Sequence, residues 1–334
     1  MKRRLPIVSL LLAACVILLP PLAQAVCAAD IRPTARLLSV YVANDWTNQL
    51  FVTTSANGAD WTPNVPIPSQ SSKFTPAVTL WRGRIYVIYV ANDDSNRLLI
   101  TSSLDGSSWT PVVPVGGQST KHAPAIAVFN DRLYIVYVAN DASNQLLYTS
   151  SGDGANWTPV LPISGQSTKL APAVTVFNGR LYAFYVANDA SNQLIHTSFN
   201  GTSWTPCLPI PGQSSKLPPA ATVFNGTLYV VYVANDSSNM LLVTSSPDMV
   251  GWVPVRAVDA HSSKQAPAVV VYNNLLYVLY IANDATNTLL ATTSSDGYYW
   301  SADIVLGGQS SKAAPALVCR VDMSRHLYLP LIRR

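Results

Sequence analysis

The chain has 334 residues, 49% hydrophobic and only 11% charged, which excludes a disordered polymer and points to an extensively buried fold. All 17 acidic residues are Asp, and the scarcity of helix formers beside abundant Val, Tyr, Thr and Ser favours strands. Of the 21 basic residues, Lys2, Arg3 and Arg4 sit at the N-terminus, so the rest is nearly neutral and lacks the footprint of a nucleic-acid binder.

Residues 1–25 read as a secretion signal: a basic start, the apolar run "LPIVSLLLAACVILL", and a small-residue cleavage site ending at Ala25. Ala29 offers a second cleavage position. A retained anchor is the competitor, but Pro20 and Pro21 interrupt the ~20 apolar residues that a span requires. The expectation is therefore a secreted or extracellular protein with no stable membrane span after signal removal. "LAAC", ending at Cys15, resembles a lipoprotein box, so anchoring there is the minor alternative. Residues 26–35 form a linker, and residues 322–334 a C-terminal tail read as an extra packed strand.

Between them, residues 36–321 are a repeat. The Asp of an Ala-Asn-Asp triplet falls at Asp45, Asp93, Asp141, Asp189, Asp236 and Asp284, in steps of 48, 48, 48, 47 and 48. A Trp (Trp61, Trp109, Trp157, Trp204, Trp252, Trp300) and a Lys (Lys73, Lys121, Lys169, Lys216, Lys264, Lys312) keep the same period, with steps of 48, 48, 47, 48 and 48. In the unit after Lys169, "APAVTVF" is a first strand closed by Asn178-Gly179. "RLYAFYVA" is the second, ending at the Asn-Asp loop, and "QLIHTS" is the third, closed by Asn200-Gly201. "WTPCLPI" is the fourth, its prolines suited to an edge, and "PGQSSK" leads to the next unit. The second strand is apolar at nearly every position, so both its faces are buried. Four-stranded units of this kind are blades of a β-propeller.

The first unit lacks its leading strand, and "APALVCRV", Ala314 to Val321, supplies it at the other end. The predicted fold is all-β: a six-bladed propeller whose ring is closed by the C-terminal strand joining the N-terminal blade, leaving no free edge at the junction. Cys27 and Cys319 lie near that junction and are the disulfide candidates. With Cys207 they make an odd count once Cys15 leaves with the signal.

The turn after each third strand reads "SANGADW", "SLDGSSW", "SGDGANW", "SFNGTSW", "SPDMVGW" or "SSDGYYW". Ser stands six residues before Trp, and Asn57, Asp105, Asp153, Asn200, Asp248 or Asp296 four before it. A short acceptor here bonds backbone amides of its own turn, Gly supplies a positive φ, and Trp a large apolar plate. The motif resembles the Asp-box, or BNR repeat, of sialidase-like β-propellers, in a form one residue shorter than the commonest. The resemblance covers residues 36–321 and implies that these residues are structural and face away from any active site. It also implies that a sialidase would need an arginine cluster, a Tyr nucleophile backed by Glu, and an Asp acid/base. With no Glu that couple cannot form. Arg84, Arg132 and Arg180 fall on the Asp-box side, leaving only Arg97 and Arg256 for other places. The reading is a non-catalytic, lectin-like relative.

Strand alternation puts the Asn-Asp loops and the Gln-Ser-Ser/Thr-Lys segments together on the face opposite the boxes. Each blade offers there one of the six Asp, one of Asn48, Asn96, Asn144, Asn192, Asn239 and Asn287, and one of the six Lys, with Gln in five blades and His261 in the sixth. Such groups suit a hydroxyl-rich ligand, and glycans or glycoconjugates are the expected partners. The same residues also suit a turn that bonds its own backbone, with Lys and Asp simply paired. One carboxylate per loop beside a Lys is a poor calcium site, and no metal or other cofactor is expected. His122, His196, His261 and His326 occupy unlike places and form no shared cage. A divergent sialidase-like exo-glycosidase and a protein-interaction scaffold are the alternatives.

Overall fold

The computed structural model describes residues 34–322. The segment read as a signal, Cys15, Cys27, His326 and the tail from residue 323 lie outside the described residues. The chain divides into two units, 1–32 and 33–334, and the described part of the second is entirely strand and turn. Its strands form six antiparallel four-stranded sheets, the six blades of a propeller. Blade 1 spans residues 34–71 plus 316–322, and blades 2 to 6 span 77–119, 125–167, 173–214, 220–262 and 268–310.

Blade 4 shows the pattern. Its strands are Ala173–Phe177, Arg180–Val186, Gln193–Phe199 and Leu208–Ser214. The first hairpin is tight because Asn178 and Gly179 both take positive φ, 45° and 70°, which matches the twist of the strands they join. The second strand lies between blades and is buried on both faces: Leu181, Ala183, Phe184, Tyr185 and Val186 are all 0% exposed. Each large apolar side chain buried this way contributes ~1.5–3 kcal/mol, and the arrangement recurs in every blade.

The outer strand departs from the sequence expectation. It begins at Leu208 rather than Trp204 and runs through Gly212-Gln213-Ser214, which the sequence placed in a connection. A register shift opposite Gln193 and Ile195, with Gly212 at φ 70°, bends the strand. Pro209 and Pro211 sit on this exposed edge, where no N–H is needed. Blade 4 also holds the 47-residue step. Phe199 pairs with Leu181 as Ser151 does with Leu133, so Ser198 is not the box serine there and Phe199 takes its place.

Ring closure is as the sequence predicts: Val40 pairs with Ala316, Leu37 with Cys319 and Thr34 with Asp322. Cys319 is half-buried on the closing strand. Neighbouring innermost strands pack around the axis, where Ala77, Ala125, Ala173, Ala220, Ala268 and Ala316 line a channel.

Candidate functional site

The Asn-Asp loops lie on one face, and each is built from its own side chains. In five loops the Asp Oδ1 accepts the amide of the residue two positions on at 2.8 Å and the Ser or Thr hydroxyl there at 2.5–2.6 Å; in the sixth, Asp93, it accepts the Ser95 amide at 2.9 Å and the Ser95 hydroxyl. These bonds, the hydroxyl first and then the amide, hold all six exposed carboxyls below their ordinary range, with Lys or Arg charges adding to the effect. The second Asn of every loop takes positive φ, from 52° at Asn96 to 58° at Asn48. Asn tolerates that region better than other side chains.

Tertiary structure adds two partnerships that the sequence did not reveal. The second Asn of each loop donates Nδ2 to the first Asn of the next blade's loop. Asn48 bonds Asn92 at 2.6 Å, and the series runs through Asn140, Asn188, Asn235 and Asn283 until Asn287 bonds Asn44 at 2.9 Å. A belt of six side-chain amide bonds therefore circles the face. The lysines do not bond the Asp carboxylates. Lys121, Lys169, Lys216, Lys264 and Lys312 donate to the Asp backbone carbonyl of their own blade. Lys73, Lys121 and Lys264 donate to the second Asn Oδ1 at 2.9, 2.7 and 3.0 Å. The simple Asp–Lys pair is thus replaced by a Lys clamp on the loop backbone. Asp, Asn and Lys are brought together in each blade, with one carboxylate oxygen outside the turn.

Gln is a correction. Gln70, Gln118, Gln166, Gln213 and Gln309 lie in the seams between blades rather than on the loop face. Each accepts the hydroxyl of the next blade's buried tyrosine, at 2.7 Å for Tyr137–Gln118 and Tyr41–Gln309. Burial pushes these phenols up, Tyr41 to about 12. In the seam between blades 5 and 6, His261 replaces Gln. Its Nδ1 lies 2.8 Å from Tyr280 Oη and 2.8 Å from Asp303, and its Nε2 is 3.0 Å from the Ser301 carbonyl. His196 is buried against Tyr182, Phe184 and Trp252, and burial lowers it to about 4.

The opposite face carries the boxes. Asp105 Oδ1 accepts the amides of Ser107 at 2.8 Å and Ser108 at 2.7 Å, which drives that carboxyl far down. Asn57, Asp153, Asn200, Asp248 and Asp296 bond their turns in the same way. The box Trp residues are half-buried except Trp300, which is 9% exposed. Arg84 and Arg132 reach Ser102 and Ser150 on this side. Arg256, which the sequence left for another location, also belongs here, stacked 3.3 Å over the Tyr298 ring. Of the two arginines the sequence left for other places, Arg97 stands on the loop face, 4.0 Å from Asp93.

On the loop side the axis opens into a cavity of ≈ 270 Å³, lined by Lys73, Phe74, His122, Leu170, Gln265 and Lys312 among others. None of the described residues lining it is a carboxylate.

No family model matches the chain, and no curated protein matches it. Solved structures share its fold. A fungal lectin from Aleuria aurantia, described as a six-bladed β-propeller with a novel fucose recognition mode, superposes with a TM-score of 0.57 at 16% identity, covering 83% of this chain and 97% of that one. AofleA from Arthrobotrys oligospora gives 0.56 at 11% identity over 86% and 90%. The α-L-arabinanase of Penicillium chrysogenum complexed with arabinobiose gives 0.54 at 16% identity over 68% and 79%.

Proposed function

We propose that this protein is a secreted, non-catalytic, multivalent glycan-binding propeller of the Asp-box, sialidase-like type. One observation carries the reading: six copies of a pre-ordered loop each present an ionised Asp, an Asn belt and a Lys on one face. Asp45, Asn48 and Lys312 form one such set, and Asp141, Asn144 and Lys121 another. A pre-ordered polar surface meets sugar hydroxyls with little ordering cost, and six weak sites raise avidity on a glycan-coated surface. Carbohydrate-binding proteins among the solved structures of this fold support the same ligand class. A glycan array probed with the full chain tests it. Binding that weakens stepwise as Asp141-type and Lys121-type residues are replaced blade by blade supports the reading; a blank array with folded protein ends it.

The second reading, an exo-glycosidase, draws on the arabinanase of the same fold. Hydrolysis by the common route needs two carboxyl groups flanking one bond. Among the described residues none that lines the axial cavity supplies one, which favours binding over turnover. Release of fluorophore from aryl glycosides, abolished by substitution of a single Asp, would reverse the choice.

A further inference from the structure

The axial mouth breaks the six-fold pattern that the loops keep. Each blade repeats its Lys, and three residues later its Pro: Pro76, Pro124, Pro172, Pro219, Pro267 and Pro315. The residue directly after the Lys changes instead, being Phe74, His122, Leu170, Leu217, Gln265 and Ala313. Five of these six line the axial cavity. Copying has preserved the frame and released the lining, as expected of a single site on the axis rather than six around it.

The lining is amphipathic. Phe74, Leu170, Pro218 and Ala313 form an apolar wall, and beneath it the innermost strands continue the well with Ala77, Val78, Ala125 and Ile126, in a volume of ≈ 170 Å³. Lys73 and Lys312 enter from the connections that lead into the innermost strands of blades 2 and 1. Lys73 has one bond, to Asn96, and Lys312 one, to the Asp45 carbonyl, so each ammonium keeps donors for another acceptor. His122 presents a buried Nε2 with no hydrogen-bond partner in the protein, beside the Phe74 ring. Burial, then Lys121, holds this imidazole below its usual range, so it adds no charge near neutral pH. Lys73 and Lys312 are therefore the charged side chains among the lining residues.

We propose that the axial mouth binds one small organic anion, a carboxylate carried on an aromatic or short alkyl body. The carboxylate lies between Lys73 and Lys312, and the body occupies the well between Phe74 and Leu170. A bare inorganic anion would leave the apolar wall unused, and a neutral sugar would leave both ammonium groups without a charge partner. The site borrows Lys73 and Lys312 from two of the six loop sets, while its other lining residues and its ligand are its own.

Titration calorimetry and thermal shift on the full chain test this with benzoate and hexanoate against the neutral isosteres benzyl alcohol and hexanol, and against sulfate. The carboxylates are expected to bind roughly tenfold more tightly than their isosteres, the size of one charge-assisted contact. In the Lys73→Gln, Lys312→Gln double variant that advantage disappears. In Ala313→Trp, which fills the mouth, carboxylate binding is lost while the loop face is untouched. Equal affinity for carboxylates and isosteres overturns the proposal, as does affinity for sulfate matching that for benzoate, or no binding of either carboxylate. The isostere comparison needs no variant, so a misfolded substitution leaves the test intact.

Discussion

The two faces of the disc use the same local device for different ends. On both, a short side chain accepts two donors of its own turn: Asp105 takes the amides of Ser107 and Ser108, and Asp141 takes the amide and hydroxyl of Ser143. In the boxes Asn serves as well as Asp, at Asn57 and Asn200. In the loops all six copies are Asp. A turn of this kind needs an acceptor, which Asn also supplies. The box therefore asks only for an acceptor, while the loop retains a charge that its turn geometry does not require. The faces also join blades differently. A box turn wedges against the preceding blade, where a Cβ on Gly154 would meet the Tyr86 ring at 2.7 Å. The loops join through exposed amide bonds and leave their carboxylates to solvent.

The largest expected effect breaks the box wedge. Gly297 has φ +76°, and a Cβ there would run into the Tyr229 ring. Gly297→Ala should cost about 2–4 kcal/mol in urea unfolding, whereas a matched change on the loop face, Ala142→Gly, should stay within ~0.5 kcal/mol. Next comes the charge itself. Replacing all six loop Asp by Asn should leave the fold and thermal midpoint nearly unchanged while glycan avidity drops roughly a hundredfold. Unchanged avidity would show that the loop charge has no part in binding. In the box the same exchange should be silent: Asp153→Asn is expected to keep the parent's urea midpoint, and Asp153→Ala to lower it.

An effect that appears only on acidification separates both faces from the buried seams. His196 is held neutral, its value lowered from 6.5 to about 4 by burial. The unfolded chain takes up that proton first, so stability is full above pH 6.5, declines on acidification, and loses this dependence below about pH 4. The six Asn-Asp loop carboxylates and the box carboxylates Asp105, Asp153, Asp248 and Asp296 are depressed as well. Their stabilisation is present above the ordinary Asp value and is lost only below it. Denaturation midpoints across pH for the parent and His196→Phe check the assignment: the decline between pH 6.5 and 4 should vanish in the variant. A decline that persists unchanged would place its origin elsewhere.

Much of this protein is written in local pattern. Six blades, the closure by Ala316–Asp322, the doubly buried second strand and the box turns follow from the period, the apolar run and the Asn-Gly signals, because each depends on residues close in sequence or on a repeat that counts itself. The loop's internal turn is legible for the same reason. What the sequence left open lies between blades. Gln118 looks like part of a polar face until Tyr137 is seen to hold it in the seam, and Lys121 looks like a partner for the Asp141 carboxylate until its ammonium is found on the backbone. Asn48 and Asn92 are 44 residues apart, and only the pitch of the ring makes them neighbours. The axial mouth gathers Phe74, His122, Leu170 and Gln265 from different blades into one cavity, although in sequence they are merely the variable letters of a repeat. A side chain's partner is set by where blade packing places it, and a repeat specifies each blade alone far more fully than the contacts made when six of them close.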